Sequence, residues 1–170
     1  MIVIVLGLPG SGKSYFASKF AGMINAEYIN SDRERKKLLA NRTYTEEEKL
    51  SVYNSMLIKM KQLIEQKKDI VLDATFYKND IRQEFLREAK SGVDLIFIEV
   101  KADESLISER LKKPRSDSDA DFDIYKKIKA QWEPLVEEHL VLFSTDNNIL
   151  DMLQKARDYM RTRNDKRANR

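Results

Sequence analysis

Residues 2–14 constrain the fold more than any other stretch of the chain. Ile2 to Leu6 reads Ile-Val-Ile-Val-Leu, a β-branched and leucine run with no polar alternation. A strand of that kind buries both of its faces, as a central strand of a parallel sheet does. It runs straight into Gly7-Leu8-Pro9-Gly10-Ser11-Gly12-Lys13-Ser14, which matches G-x-x-x-x-G-K-[ST] at every fixed position. A helix with Phe16, Phe20 and Met23 on its inward face is expected to follow. Glycines allow successive backbone N–H groups to converge on phosphate oxygens, and the helix N-terminus adds its dipole. The pattern implies that Lys13 reaches the β- and γ-phosphates of a nucleotide and that the Ser14 hydroxyl ligates Mg²⁺. The bland alternative is a glycine-rich turn with an exposed lysine.

Four later segments resemble the first strand: Glu27 to Asn30, Asp69 to Asp73, Leu95 to Val100 and Leu140 to Phe143. Helical patterns lie between them. Leu50, Tyr53, Met56, Leu57, Met60, Leu63 and Ile64 recur at three- and four-residue steps, and Thr45 with Glu48 supplies a capping box. Asn79 or Asp80 is placed to cap a helix burying Ile81, Phe85, Leu86 and Ala89, ended by Gly92, and Asp103 to cap one carrying Leu106, Ile107 and Leu111. This alternation predicts an α/β domain with a mainly parallel sheet of about five strands flanked by helices. At 170 residues, 42% of them hydrophobic, a single domain is expected.

The absence of cysteine excludes disulfides, thiolate metal sites and a cysteine nucleophile. No stretch approaches the length of a membrane span, so a soluble, cytoplasmic protein without a membrane partner is expected. The net charge of +3 discriminates little, but residues 161–170 carry Arg161, Arg163, Lys166, Arg167 and Arg170 against one Asp165. That basic tail either holds an anionic partner or is a frayed, solvated terminus. The polar break at residues 112–123, with Pro114 and alternating Ser and Asp, reads as a lid segment within the domain.

Ligands of open α/β sheets sit at the C-terminal strand edge, which directs attention to the residues ending each strand. After the second strand come Asn30, Ser31, Asp32 and, one helical turn on, Arg35. Asp32 could accept the proton of an attacking hydroxyl while Arg35 holds an anionic group of the acceptor; otherwise Asp32 caps a helix and Arg35 is solvated. Asp73 ends an apolar strand, where it either engages a magnesium-bound water or a basic group, or closes a turn. Thr75 and Arg82 follow on the same edge as candidate acceptor contacts. Arg110 and Arg115 flank the lid, where arginines could neutralise charge on a transferred phosphoryl group or simply face solvent. His139, the one histidine, is read as structural, and Trp132 with Leu135 and Val136 as a core-facing helix stripe.

Taken together, Gly-Leu-Pro-Gly-Ser-Gly-Lys-Ser, Asn30-Ser31-Asp32-x-x-Arg35, Val71-Leu72-Asp73-Ala74-Thr75-Phe76 with Arg82, and Arg115-x-Ser-Asp-Ser-Asp-Ala-Asp followed by Trp132-Glu133-Pro134 resemble the polynucleotide-kinase-like group of P-loop kinases. The resemblance implies a P-loop NTPase fold, ATP and Mg²⁺ as cofactors, Asp32 as general base, Arg35 on the acceptor's phosphate and lid arginines on the transferred phosphoryl. The leading expectation is transfer of the γ-phosphate of ATP to the 5′-hydroxyl of a polynucleotide. A small-molecule kinase acting on a metabolite, antibiotic or nucleotide sugar is the alternative. A third reading is a nucleotide-dependent binding or switch protein with no acceptor.

Overall fold

The computed structural model describes residues 1–39, 45–89, 93–113 and 120–168, with the backbone alone described for 164–168. Among these, five strands form one sheet: β1 (Ile2–Leu6), β2 (Glu27–Asn30), β3 (Ile70–Asp73), β4 (Leu95–Lys101) and β5 (His139–Phe143). The order is β2-β3-β1-β4-β5 and every neighbouring pair is parallel. Parallel neighbours need crossover connections, and helices supply them. These are α1 (Lys13–Met23), α2 (Ser31–Leu38), α3 (Glu46–Glu65), α4 (Asn79–Glu88), α5 (Glu104–Lys112), α6 (Phe122–Ala130) and α7 (Ile149–Ala168). The α/β architecture with about five strands is thus the one expected from sequence.

The uninterrupted apolar character of β1 follows from its central place. Ile2, Ile4 and Leu6 pack with Val52, Met56 and Met60 of α3 and Phe85 of α4, whereas Val3 and Val5 pack with Phe16 and Phe20 of α1 and Met152 and Ala156 of α7. Each of the larger side chains among them (Val, Leu, Ile, Phe or Met), fully buried, contributes roughly 1.5–3 kcal/mol. The chain leaves β1 towards β2 on one side and leaves β4 towards β5 on the other, so connections diverge at the C-terminal ends of β1 and β4. A crevice opens at such a divergence.

Several local expectations are corrected. Met23 and Leu50 are largely exposed, because each sits outside the arc that its helix turns to the sheet. Thr45 does cap α3, its Oγ1 accepting the Glu48 N–H at 3.2 Å, but the Glu48 carboxylate pairs with Arg35 instead of completing the capping box. Lys78, not Asn79 or Asp80, occupies the cap position of α4, and Gly92 lies outside the described residues. Asp103 holds the cap position of α5 without a side-chain capping bond. The segment after α6 is not helical: Trp132 and Leu135 still pack on the core, but Val136 is 83% exposed. The backbone of the basic tail continues α7 as far as Ala168 and does not fray at 161. No helix among the described residues is long and apolar enough to cross a membrane.

Candidate phosphate-transfer site

The loop between β1 and α1 has the backbone that its glycines were expected to permit. Gly7 sits at φ 154°, and a Cβ built there would come within 2.3 Å of the Val100 carbonyl oxygen, a backbone atom of β4 that cannot move aside. Gly12 is left-handed at φ 90° in the cap position of α1, with Ser144 Oγ 2.6 Å from its virtual Cβ. The first turn of α1 carries no acidic residue, so the helix N-terminus keeps its positive end for an anion. Lys13 and Ser14 are its first two residues. Together with Gly10, Gly12, Arg110 and Thr145 they border a cavity of about 500 Å³. That volume lies within the range of nucleotide-sized pockets, roughly 300–1,000 Å³.

Arg110 reaches this cavity from the last turn of α5. Its guanidinium donates to Ser144 Oγ at 3.1 Å, to the Thr145 carbonyl at 3.0 Å and to Asp146 Oδ1 at 3.2 Å, with the Gly10 carbonyl at 3.5 Å. Arg110 therefore stands beside the phosphate loop, tied to the turn between β5 and α7. Arg115 and the core of the lid, 114–119, lie outside the described residues. Sequence reasoning missed the Ser144, Thr145, Asp146 turn. Its signal was a run of short polar residues directly after an apolar strand, the same grammar that marked Asp32 and Asp73.

On the other side of α1, Asp73 ends β3 fully buried. Its Oδ2 accepts from the Tyr28 hydroxyl at 2.5 Å and from Asn30 Nδ2 at 2.6 Å, while its Oδ1 is buried without a hydrogen-bond partner. The Tyr28 hydroxyl lies 3.5 Å from the Ser14 carbonyl, so the carboxylate stands close to the start of α1. Burial first, and the Asp73 carboxylate second, push the Tyr28 phenol well above its ordinary pKa, which keeps it a proton donor. An orphaned carboxylate oxygen beside the helix that begins Lys13-Ser14 suits a hard cation that takes oxygen ligands and keeps part of its water shell, as Mg²⁺ does. Among the described residues no group of three or more His, Cys, Asp or Glu side chains is placed to hold a metal.

Asp32 is the second residue of α2 and is half-buried; Asn30 is the cap, its Oδ1 accepting the Arg33 N–H at 2.9 Å. The capping alternative for Asp32 is thereby removed. Arg35 is buried and pairs with Glu48 of α3 at 2.7 Å. Both Asp32 and Arg35 act electrostatically on Tyr53, whose hydroxyl accepts the Phe76 N–H at 3.0 Å. Fold geometry thus brings α2 next to the loop that follows Asp73 and carries the half-buried Thr75.

Arg82 departs from its expected role as an acceptor contact. It is fully buried and donates to the Phe76 carbonyl at 2.9 Å and the Pro134 carbonyl at 3.1 Å. Phe76 has φ 48°, a left-handed conformation costly for a bulky residue, and Tyr53 and Arg82 brace the peptide groups on either side of it. Burial presses the Arg82 pKa below the usual arginine value, opposed by Glu137, Glu133, Glu99 and Asp80. His139 has its Nδ1 2.7 Å from the Glu137 carbonyl and its Nε2 3.6 Å from Glu99.

Solved structures resemble this arrangement across nearly the whole chain. A sugar kinase from Janibacter sp. superposes with a TM-score of 0.72 at 17% identity, covering 94% of this chain and 93% of that one. The Mycobacterium tuberculosis APS kinase, in complex with AMPPNP and APS, gives 0.71 at 17% identity, with 94% and 96% covered. Kti12 from Chaetomium thermophilum, in complex with ADP-AlF3, gives 0.69 at 17% identity, with 93% and 98% covered. At such identities the likeness is one of fold. No curated protein sequence matches the chain. The family model described as an AAA domain matches residues 2–135, which hold the phosphate loop, Asp32, Asp73 and Arg110, and the chain belongs to that P-loop family.

Proposed function

We propose that this chain moves the γ-phosphate of ATP onto a hydroxyl of a small-molecule acceptor. The observation that carries the choice of acceptor is the Arg35–Glu48 pair. A 5′-hydroxyl polynucleotide kinase of the kind first expected needs Arg35 to grip a phosphate of the acceptor, but here the guanidinium is buried against a carboxylate 2.7 Å away. Releasing it would break a buried ion pair, at a cost of about 3–5 kcal/mol. Two structural neighbours, a sugar kinase and an APS kinase in complex with APS, agree with a small acceptor.

In this reading the backbone N–H groups of residues 7–14 and the Lys13 ammonium hold the triphosphate. Ser14 and Asp73, the latter through water, are the residues that would hold Mg²⁺, which when bound neutralises phosphate oxygens. Asp32 orients the acceptor hydroxyl and takes its proton as the new O–P bond forms. Arg110 stabilises charge at the phosphate loop, and Thr75, on the braced loop, lines the acceptor side.

Transfer from γ-labelled ATP to a panel of polyols, amino sugars and nucleosides, with 5′-hydroxyl DNA and RNA alongside, tests this directly. A labelled small-molecule product is expected, and Asp32→Asn should retain ATP affinity while losing about 10² to 10⁴ in rate. Label on the oligonucleotides alone would restore the polynucleotide reading. Hydrolysis with no labelled acceptor would favour a nucleotide switch.

A further inference from the structure

We propose that Tyr28 is a positioning residue that fixes the Asp73 carboxylate so that its free oxygen meets the water shell of nucleotide-bound magnesium. The proposal rests on the kinase reading above and adds a residue to it.

Asp73 is fully buried, and no lysine or arginine among the described residues forms an ion pair with it. A buried carboxylate without a cation is costly, and it persists where a ligand brings the missing charge. Its two oxygens are treated differently. Oδ2 takes both protein donors, the Tyr28 hydroxyl at 2.5 Å and Asn30 Nδ2 at 2.6 Å, and Oδ1 takes none. That asymmetry is set by the sheet. Asn30 is the register partner of Asp73 across the β2–β3 pair and Tyr28 is the partner of Val71, so both donors emerge from β2 on the face that carries α1.

The two donors are not equivalent. Asn30 is committed to α2, since its Oδ1 caps the helix at the Arg33 N–H. Tyr28 faces α1, with its hydroxyl 3.5 Å from the carbonyl of Ser14, the residue that would ligate the metal directly, and with the Arg33 guanidinium 5.2 Å from its ring centre. The Arg33 guanidinium thus covers one face of the ring while the hydroxyl lies between the phosphate-loop helix and the carboxylate. Losing that hydroxyl leaves Asn30 as the one donor to the carboxylate among the described residues, and the carboxylate gains freedom to turn Oδ1 away. Outer donors of this kind tune metal affinity without touching the metal.

Tyr28→Phe keeps the ring and its packing and deletes one oxygen, so folding should be preserved, with far-UV circular dichroism as the check. The measurement is binding of a fluorescent non-hydrolysable ATP analogue, first in EDTA and then across a Mg²⁺ titration. Unchanged affinity in EDTA, with the Mg²⁺ half-saturation point raised about 10-fold or more, is expected. Asp73→Asn runs in parallel and should blunt the Mg²⁺ dependence further. A shifted Asp73→Asn titration with an unshifted Tyr28→Phe one overturns the role of Tyr28 and leaves the kinase reading standing. Equal weakening of Tyr28→Phe in EDTA and in Mg²⁺ overturns it too, by making the tyrosine a general support of the loop. If Asp73→Asn itself titrates as the parent protein does, the assignment of Asp73 to the metal falls, and that of Tyr28 with it.

Discussion

On the nucleotide side of the sheet the working parts are mostly backbone: three glycines at positive φ, the open N-terminus of α1 and the carbonyls that Arg110 touches. Across α1, on the β2–α2 side, they are buried side chains held by one another: Asp73 by Tyr28 and Asn30, Arg35 by Glu48, and Glu34 by Lys59, Lys37 and Ser55. Backbone sites tolerate change at neighbouring surfaces but fail when a Cβ is added in the loop. Side-chain sites are sensitive to the loss of an oppositely charged partner, because a buried ion pair is then broken. A P-loop protein can thus keep one nucleotide cradle and acquire a different acceptor by rewriting the buried pairs.

The largest effect should come from Glu48→Gln, which breaks the buried Arg35–Glu48 ion pair; a loss of about 3–5 kcal/mol in urea unfolding is expected. A near-neutral result would mean that Arg35 is readily released, and would reopen the case for an anionic acceptor. Next in size is Lys13→Ala, expected to lower kcat by about 10² to 10³ with the unfolding midpoint unchanged. Turnover close to normal in that folded variant would remove the nucleotide side of the comparison altogether.

Arg110→Ala should lower kcat about tenfold or more while raising KM for ATP less, since contacts to a developing charge strengthen in the transition state. Its cost in stability should stay under about 1 kcal/mol, because its partner Asp146 is exposed. A loss confined to KM would recast Arg110 as a ground-state nucleotide contact. The smallest effect concerns Glu34. Burial acts to raise its pKa, but Lys59 and Lys37 outweigh burial, so the folded state holds the carboxyl below its ordinary value. Its contribution is fully present above the unfolded carboxylate pKa, near 4.3, and is lost as pH falls through the depressed folded value. Unfolding curves of the parent protein and Glu34→Gln should differ by about 1 kcal/mol near neutrality and converge in acid. Curves that stay parallel at all pH values would show that the pairing contributes nothing.

Much of the nucleotide side was readable because its chemistry is local. Glycines at fixed spacing, one lysine and one hydroxyl lie within a single strand-turn-helix unit, and the apolar pattern of β1 places that unit at the sheet centre. The strand-end rule likewise pointed to Asp73, which ends β3, and to Asp32, in the first turn of α2. It failed for Arg82, because a charged residue in a helix is assumed to face outward until something is seen to bury it. Here the carbonyls of Phe76 and Pro134, far apart in sequence, are what accept its hydrogen bonds.

The sequence by itself determined the strand and helix order, the parallel sheet and the identity of the phosphate loop, since each follows from periodicity or from backbone conformations that glycine alone adopts cheaply. Tertiary structure decided which charges are spent inside the protein. Arg35 meets Glu48 across α2 and α3, and Tyr28 meets Asp73 through the β2–β3 register. A side chain's availability to a ligand depends on partners that no local pattern encodes, because burial and pairing are properties of the packed elements and not of the segment that carries the residue.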